Sequence, residues 1–68
     1  MENKFKQRLC ELRFEKGVRQ KDLAELLKTT KYTISAWERG ICQPSIENII
    51  LLAGYFEVSA GYLLGAED

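Results

Sequence analysis

Histidine is missing from this 68-residue chain, and with it go the usual general base and the commonest metal ligand. Cysteine occurs twice, at Cys10 and Cys42, with no second cysteine near either. Neither a zinc site nor a redox pair can be assembled from that spacing. One disulfide is arithmetically open, but no secretory leader is read ahead of residue 10. Reduced thiols in a cytoplasmic protein are therefore expected, as plain packing residues. No apolar run approaches the ~20 residues of a membrane span. Repeats and low-complexity tracts are not seen. No nucleophile, acid and base stand in a catalytic pattern, so neither an enzyme nor a cofactor is expected.

What is present suits one small soluble domain spanning 1–68, with no room for two cores. Apolar residues make up 46% and charged residues 29%, which argues against wholesale disorder. The net charge is zero, but the charges are not evenly placed. All ten basic residues fall within 1–40, where six acids leave a net of +4; residues 41–68 carry four acids and no base. A basic half and an acidic half suggest an anionic partner on one side. Chance asymmetry on a solvated surface explains the same pattern equally well.

The single proline, Pro44, and most of the glycines separate helix-length blocks. Asn3–Lys16 carries Phe5, Leu9 and Leu12 on one face and ends at Gly17, with Val18 as a buried linker. Gln20–Leu27 turns Leu23, Ala24 and Leu27 inward, and Asp22 complements its positive end. Arg19 before it cannot accept an amide hydrogen and makes a poor cap. Lys31–Arg39 is capped by Thr30, buries Ile34 and Trp37, and stops at Gly40. Ser45–Phe56 has Ile46, Ile49, Leu52, Ala53 and Phe56 as its inner stripe, and Ser59–Leu64 closes at Gly65. No segment alternates with period two. The fold expected is all-α, with five helices.

Blocks two and three are joined only by Lys28, Thr29 and Thr30, the spacing of a helix-turn-helix. A short second helix fits the ~12 Å major groove of DNA if its outward side is small or polar. Lys31, Tyr32, Thr33, Ser35 and Ala36 meet that condition. The first helix of the pair offers amides to a phosphate, with Arg19 and Gln20 at that end.

The spaced residues Arg8-Leu9, Leu12-Arg13, Lys16-Gly17-Val18, Gln20, Leu23-Ala24, Leu27, Thr33-Ile34-Ser35, Trp37-Glu38-Arg39-Gly40, Pro44-Ser45, Ile49, Leu52-Ala53, Phe56, Val58-Ser59 and Leu63-Leu64-Gly65 make the sequence recognisable. It resembles the lambda repressor and Cro type of helix-turn-helix DNA-binding domain, the XRE family, over about residues 4 to 65. That resemblance implies a compact five-helix domain and base contacts from Lys31, Tyr32, Thr33 and Ala36. An alanine offers only an apolar contact, for example to a thymine methyl. It implies phosphate contacts from Arg19, Gln20, Thr30, Ser35, Arg39 and Gln43, with Gln20 also bracing the next helix, and a structural pair of Arg13 with Glu38. It also implies a homodimer formed through the C-terminal region, with outward-facing Leu51, Tyr55 and Tyr62 as its expected interface.

The chain departs from the family pattern in places. Lys28 stands where the family usually has glycine, at a cost of about 1 kcal/mol if φ is positive. Arg19 replaces a capping residue but adds a cation beside the expected phosphate. The loop Ile41-Cys42-Gln43 has no basic residue, so moderate affinity is expected. If a dimer neutralises ~6 phosphates, log K falls with log salt at a slope near −5.

The function expected is sequence-specific binding of a near-palindromic double-stranded DNA operator by a dimeric transcriptional regulator, with repression favoured over activation. The setting expected is the cytoplasm, at the nucleoid, of a bacterial or phage-type system. The alternative is a protein-interaction module of the same fold, antitoxin-like or a regulatory partner, with weak or no DNA binding. Whether the chain is complete or the first part of a longer regulator is not legible from these residues.

Overall fold

The computed structural model describes residues 4–67, which form α1 (Phe5–Lys16), α2 (Gln20–Leu27), α3 (Lys31–Glu38), α4 (Ile46–Phe56) and α5 (Ala60–Leu64). No strand occurs among the described residues, and no helix is long and apolar enough to cross a membrane. The Asn3 start expected for the first helix lies outside the described residues. α2 packs on α3, α3 on α1, α1 on α5 and α4 on α5.

The periodic apolar positions converge on one core. Leu9, Leu23, Ile34, Leu52, Phe56 and Leu63 are its largest fully buried side chains, and Phe5, Leu12, Trp37 and Ile49 complete its walls. Trp37 stands edge-on to Phe5, with ring centroids 6.3 Å apart. Val18 and Leu27 pack against this core from half-buried positions. Ile46 does not join it. It is 79% exposed, against the inward orientation expected. As the first residue of α4 it projects past the packed layer, and Ile49 is the first of that stripe to be covered.

Short side chains start three of the helices. The hydroxyls of Thr30, Ser45 and Ser59 accept the amides of Thr33, Asn48 and Tyr62 in the first turns, the Thr33 amide being shared with the Thr30 carbonyl at 3.0 Å. Four helices end in a left-handed residue that folds the chain back: Gly17, Lys28, Glu57 and Gly65. Lys28 has φ 56° and Glu57 φ 58°, so each carries the strain that a Cβ meets in this region, about 1 kcal/mol. Gly65 is required by close approach as well. A Cβ there would lie 2.8 Å from Lys4 Cβ and 3.1 Å from the Lys4 nitrogen. That approach lets the Lys4 amide donate to the Leu64 carbonyl, tying the start of α1 to the end of α5.

Candidate nucleic-acid interface

The orientation of α3 is set by a polar network beneath it. Arg13 reaches Glu38 with two parallel hydrogen bonds, Nε to Oε2 at 2.6 Å and Nη2 to Oε1 at 3.1 Å. A third Arg13 donor, Nη1, meets the Val18 carbonyl at 3.2 Å and so fastens the turn before α2. The pair is well covered, with side-chain exposures of 13% and 7%. Glu38 Oε1 also accepts from Gln20 Nε2 at 3.0 Å and from the Cys10 thiol at 3.6 Å. One carboxylate therefore joins α1, α2 and α3. Burial pushes the Glu38 carboxyl up, but hydrogen bonds from Arg13 and Gln20, together with the Arg13 charge, outweigh it and hold the group below its ordinary value.

The expected Arg13–Glu38 pair is thus present, Gln20 braces α3 through the same carboxylate as the resemblance implied, and Cys10 is a further member that had not been anticipated. Gln20 was expected to touch phosphate, yet one of its N–H donors is committed to Glu38; its NH2 carries a second hydrogen. Cys10 was expected to be a plain packing residue. It is half-buried, but it donates to Glu38. Burial, followed by the neighbouring Glu38 charge, raises its thiol above the ordinary value. Cys42 does not pack at all. It is exposed in the loop after α3.

At the opening of α2, Asp22 accepts the Arg19 amide at 3.0 Å. The same carboxylate takes the Arg19 guanidinium through Nε and Nη2, both at 3.2 Å. This is the reciprocal half of a capping box: Asp22 reaches back to the Arg19 amide, while the Asp22 amide itself donates to the Arg19 carbonyl at 3.0 Å and the Arg19 side chain does not accept it. Hydrogen bonds from the Arg19 side chain and amide hold Asp22 below its usual range. An open depression lies beside this end, lined by Arg13, Arg19, Gln20, Lys21 and Lys31. Lys21 was not among the expected phosphate contacts; its place beside Arg19 and Gln20 in the basic half was the available signal.

Along α3, Lys31 and Tyr32 are exposed, and Thr33, Ser35 and Ala36 are half-buried. Ile34 and Trp37 point into the core as expected. Thr30, Arg39 and Gln43 are exposed at the flanks of the helix. Ile41, 66% exposed, makes the following loop apolar as well as uncharged.

On α4, Leu51 and Tyr55 are exposed as expected, and Ile46 and Ile50 are exposed too. Tyr62 departs from its expected outward position. It is half-buried against the core, with the Arg8 guanidinium 4.1 Å above its ring. Arg8 Nη1 also donates to the carbonyls of Tyr62 at 2.6 Å and Glu67 at 2.7 Å. The side chain of Glu67 in turn accepts from Ser59 Oγ.

Residues 10–63 match the family model described as helix-turn-helix. The chain is 34% identical over 64 residues to the HTH-type transcriptional activator BcrR of Enterococcus faecalis, covering 94% of this chain but 31% of that protein. It spans, then, about a third of that relative's length. Among solved structures, a transcriptional regulator from Listeria innocua superposes with a TM-score of 0.93 at 32% identity, over all of this chain and 64% of that one. The P22 c2 repressor protein, solved in complex with synthetic operator 9T, superposes with a TM-score of 0.84 at 28% identity, over 93% of this chain and 96% of that one. With α2 and α3 joined by a three-residue turn and a family match running from residue 10 to 63, the chain belongs to the helix-turn-helix family of the lambda repressor/Cro (XRE) type, a family of DNA-binding regulators of transcription.

Proposed function

We propose that residues 1–68 are a single domain that binds double-stranded DNA sequence-specifically, with α3 in the major groove. The observation that carries this reading is the continuity of the basic depression with the outer face of α3. Arg19, Gln20 and Lys21 at the start of α2 run into Lys31 at the start of α3. A phosphate seated there would meet the α2 amides and three cations while Lys31, Tyr32, Thr33 and Ala36 face base edges. Thr30, Ser35, Arg39 and Gln43 flank α3 as further phosphate contacts. Mobility shifts at low salt against a random duplex pool, followed by selection, test this. A selected sequence bound with a salt slope near −5 is the expected outcome for about six neutralised phosphates. No shift with any duplex would leave the protein-interaction module as the reading.

The proposed active form is a homodimer on a near-palindromic operator, placing two recognition helices ~34 Å apart. The exposed apolar side chains of Ile46, Ile50, Leu51 and Tyr55 on α4 support it, since exposed apolar surface marks interfaces; Tyr62 contributes at most its uncovered edge. Sedimentation of wild type and Leu51→Lys on operator DNA is the check, and a monomeric wild type at high micromolar concentration would sink the proposal. Repression is the proposed sense of regulation, and cytoplasmic action at the nucleoid goes with it. The operator-bound P22 c2 protein is a repressor, whereas BcrR is an activator. A reporter carrying the selected operator over a promoter decides between the two.

A further inference from the structure

The proposed function leaves the operator sequence open, and one hydroxyl contact at the start of α3 narrows it. Thr30 Oγ1 accepts the Thr33 amide at 3.3 Å. The Thr33 hydroxyl lies 3.2 Å from that same oxygen. In a helix, threonine divides its χ1 between two staggered wells. The contact with Thr30 selects the one that turns the hydroxyl back toward the cap. The hydroxyl and the γ-methyl occupy different staggered directions from Cβ, so the methyl points away from the cap. Ala36 follows three residues on, the spacing of surface neighbours on a helix. Both residues are half-buried, between the exposed Lys31 and Tyr32 and the rest of α3.

We infer that Thr33 and Ala36 form a methyl pair that reads the 5-methyl group of a pyrimidine, a thymine in unmodified DNA, with the Thr30–Thr33 hydroxyl contact holding Thr33 in its reading orientation. The inference rests on the proposed placement of α3 in the groove. A thymine methyl is the apolar feature of the major-groove edge, and alanine and threonine methyls suit it. A freely rotating threonine hydroxyl can pair with donors or acceptors on several bases and discriminates poorly. A hydroxyl held by the cap removes that option. Lys31 and Tyr32, at the N-terminal side of the pair, then carry the polar share of the readout.

The test uses the duplex selected above, with each thymine replaced singly by deoxyuridine. That removes one methyl and leaves the hydrogen-bonding edge intact. The result expected is one thymine per half-site at which the replacement weakens binding about fourfold, the worth of one buried methyl-sized group. Thr33→Ser keeps the hydroxyl and removes one methyl of the pair, so the difference between its binding of thymine and uridine duplexes should shrink clearly below that of wild type. Thr33→Val keeps a methyl without the hydroxyl and should retain the uridine penalty. Thermal melting of both variants ensures that folded protein is compared. Uridine tolerated at every position, a selected site without a required thymine, or a full penalty retained by Thr33→Ser each overturn the inference. Failure to shift any duplex overturns the groove placement itself, and the inference with it.

Discussion

Two arginines five residues apart on α1 fasten different helices by different means. Arg13 ends on a covered carboxylate that also takes Gln20 and Cys10. Arg8 ends on two backbone carbonyls and a tyrosine ring. The first seam joins α1, α2 and α3, and it is directional: a carboxylate accepting four donors tolerates little rotation of the helices that supply them. The second closes α1 over α5 and leaves the exposed apolar side chains of α4 uncovered. The side proposed to read DNA is thus aligned by charge. The side proposed to meet a second subunit is held by packing.

The sharpest way to break the contrast is Glu38→Ala. It strands Arg13 beneath α3, and removing one partner of a covered pair costs about 3 kcal/mol. The melting temperature should fall by more than about 10 °C, with DNA binding weakened through misaligned α3; an unchanged melting temperature would refute the hub. Arg8→Ala should cost less, about 1.5 kcal/mol for charge-assisted bonds that are partly exposed. Melting should drop by about 8 °C, hydrogen exchange should quicken in 60–66, and affinity for DNA at low temperature should stay the same. Loss of affinity equal to that of Glu38→Ala would erase the distinction between the seams.

Acid separates them more gently. The folded Glu38 carboxyl lies below its ordinary value of 4.5, so its contribution is complete above pH 4.5 and is lost as pH falls through the lowered folded value. Melting midpoints should decline over that acidic window in wild type and more shallowly in Glu38→Gln. The smallest effect expected is at the rim of the DNA side. Asp22→Asn keeps an oxygen for the Arg19 amide and frees the guanidinium, so affinity should rise about twofold on all sequences alike. Arg19→Ala should lower affinity equally for all sequences and shrink the salt slope by about 1. A sequence-dependent change from either variant would contradict a pure phosphate role.

Much of this arrangement was legible from residue order. Helical spacing named the inward faces of α1 to α4, and Thr30, Ser45 and Ser59 marked three helix starts. The family's usual glycine at position 28 pointed to the positive φ that Lys28 adopts. What escaped depends on tertiary closure. Periodicity assigns Ile46 a direction but cannot say that α4 begins beyond the packed layer. Tyr62 looked outward until Arg8 folded over it from a residue 54 positions away. Glu57 gives no sign in composition that it will adopt a left-handed turn. Cys10 resembled filler because its partner lies on another helix, and Asp22 reaches back to the Arg19 amide, a contact the poor-cap reading of Arg19 did not include.

The two cysteines hold a practical consequence. Thiolate is the form that reacts, so a raised pKa and partial burial slow Cys10, whereas Cys42 lies open on the loop following α3. A maleimide dye at neutral pH should therefore settle on one position without any engineered substitution. That position sits at the foot of the recognition helix, where the proposed duplex would pass. The native chain already carries a single-colour optical gauge of its own docking, able to time the approach and departure of DNA on an unaltered sequence.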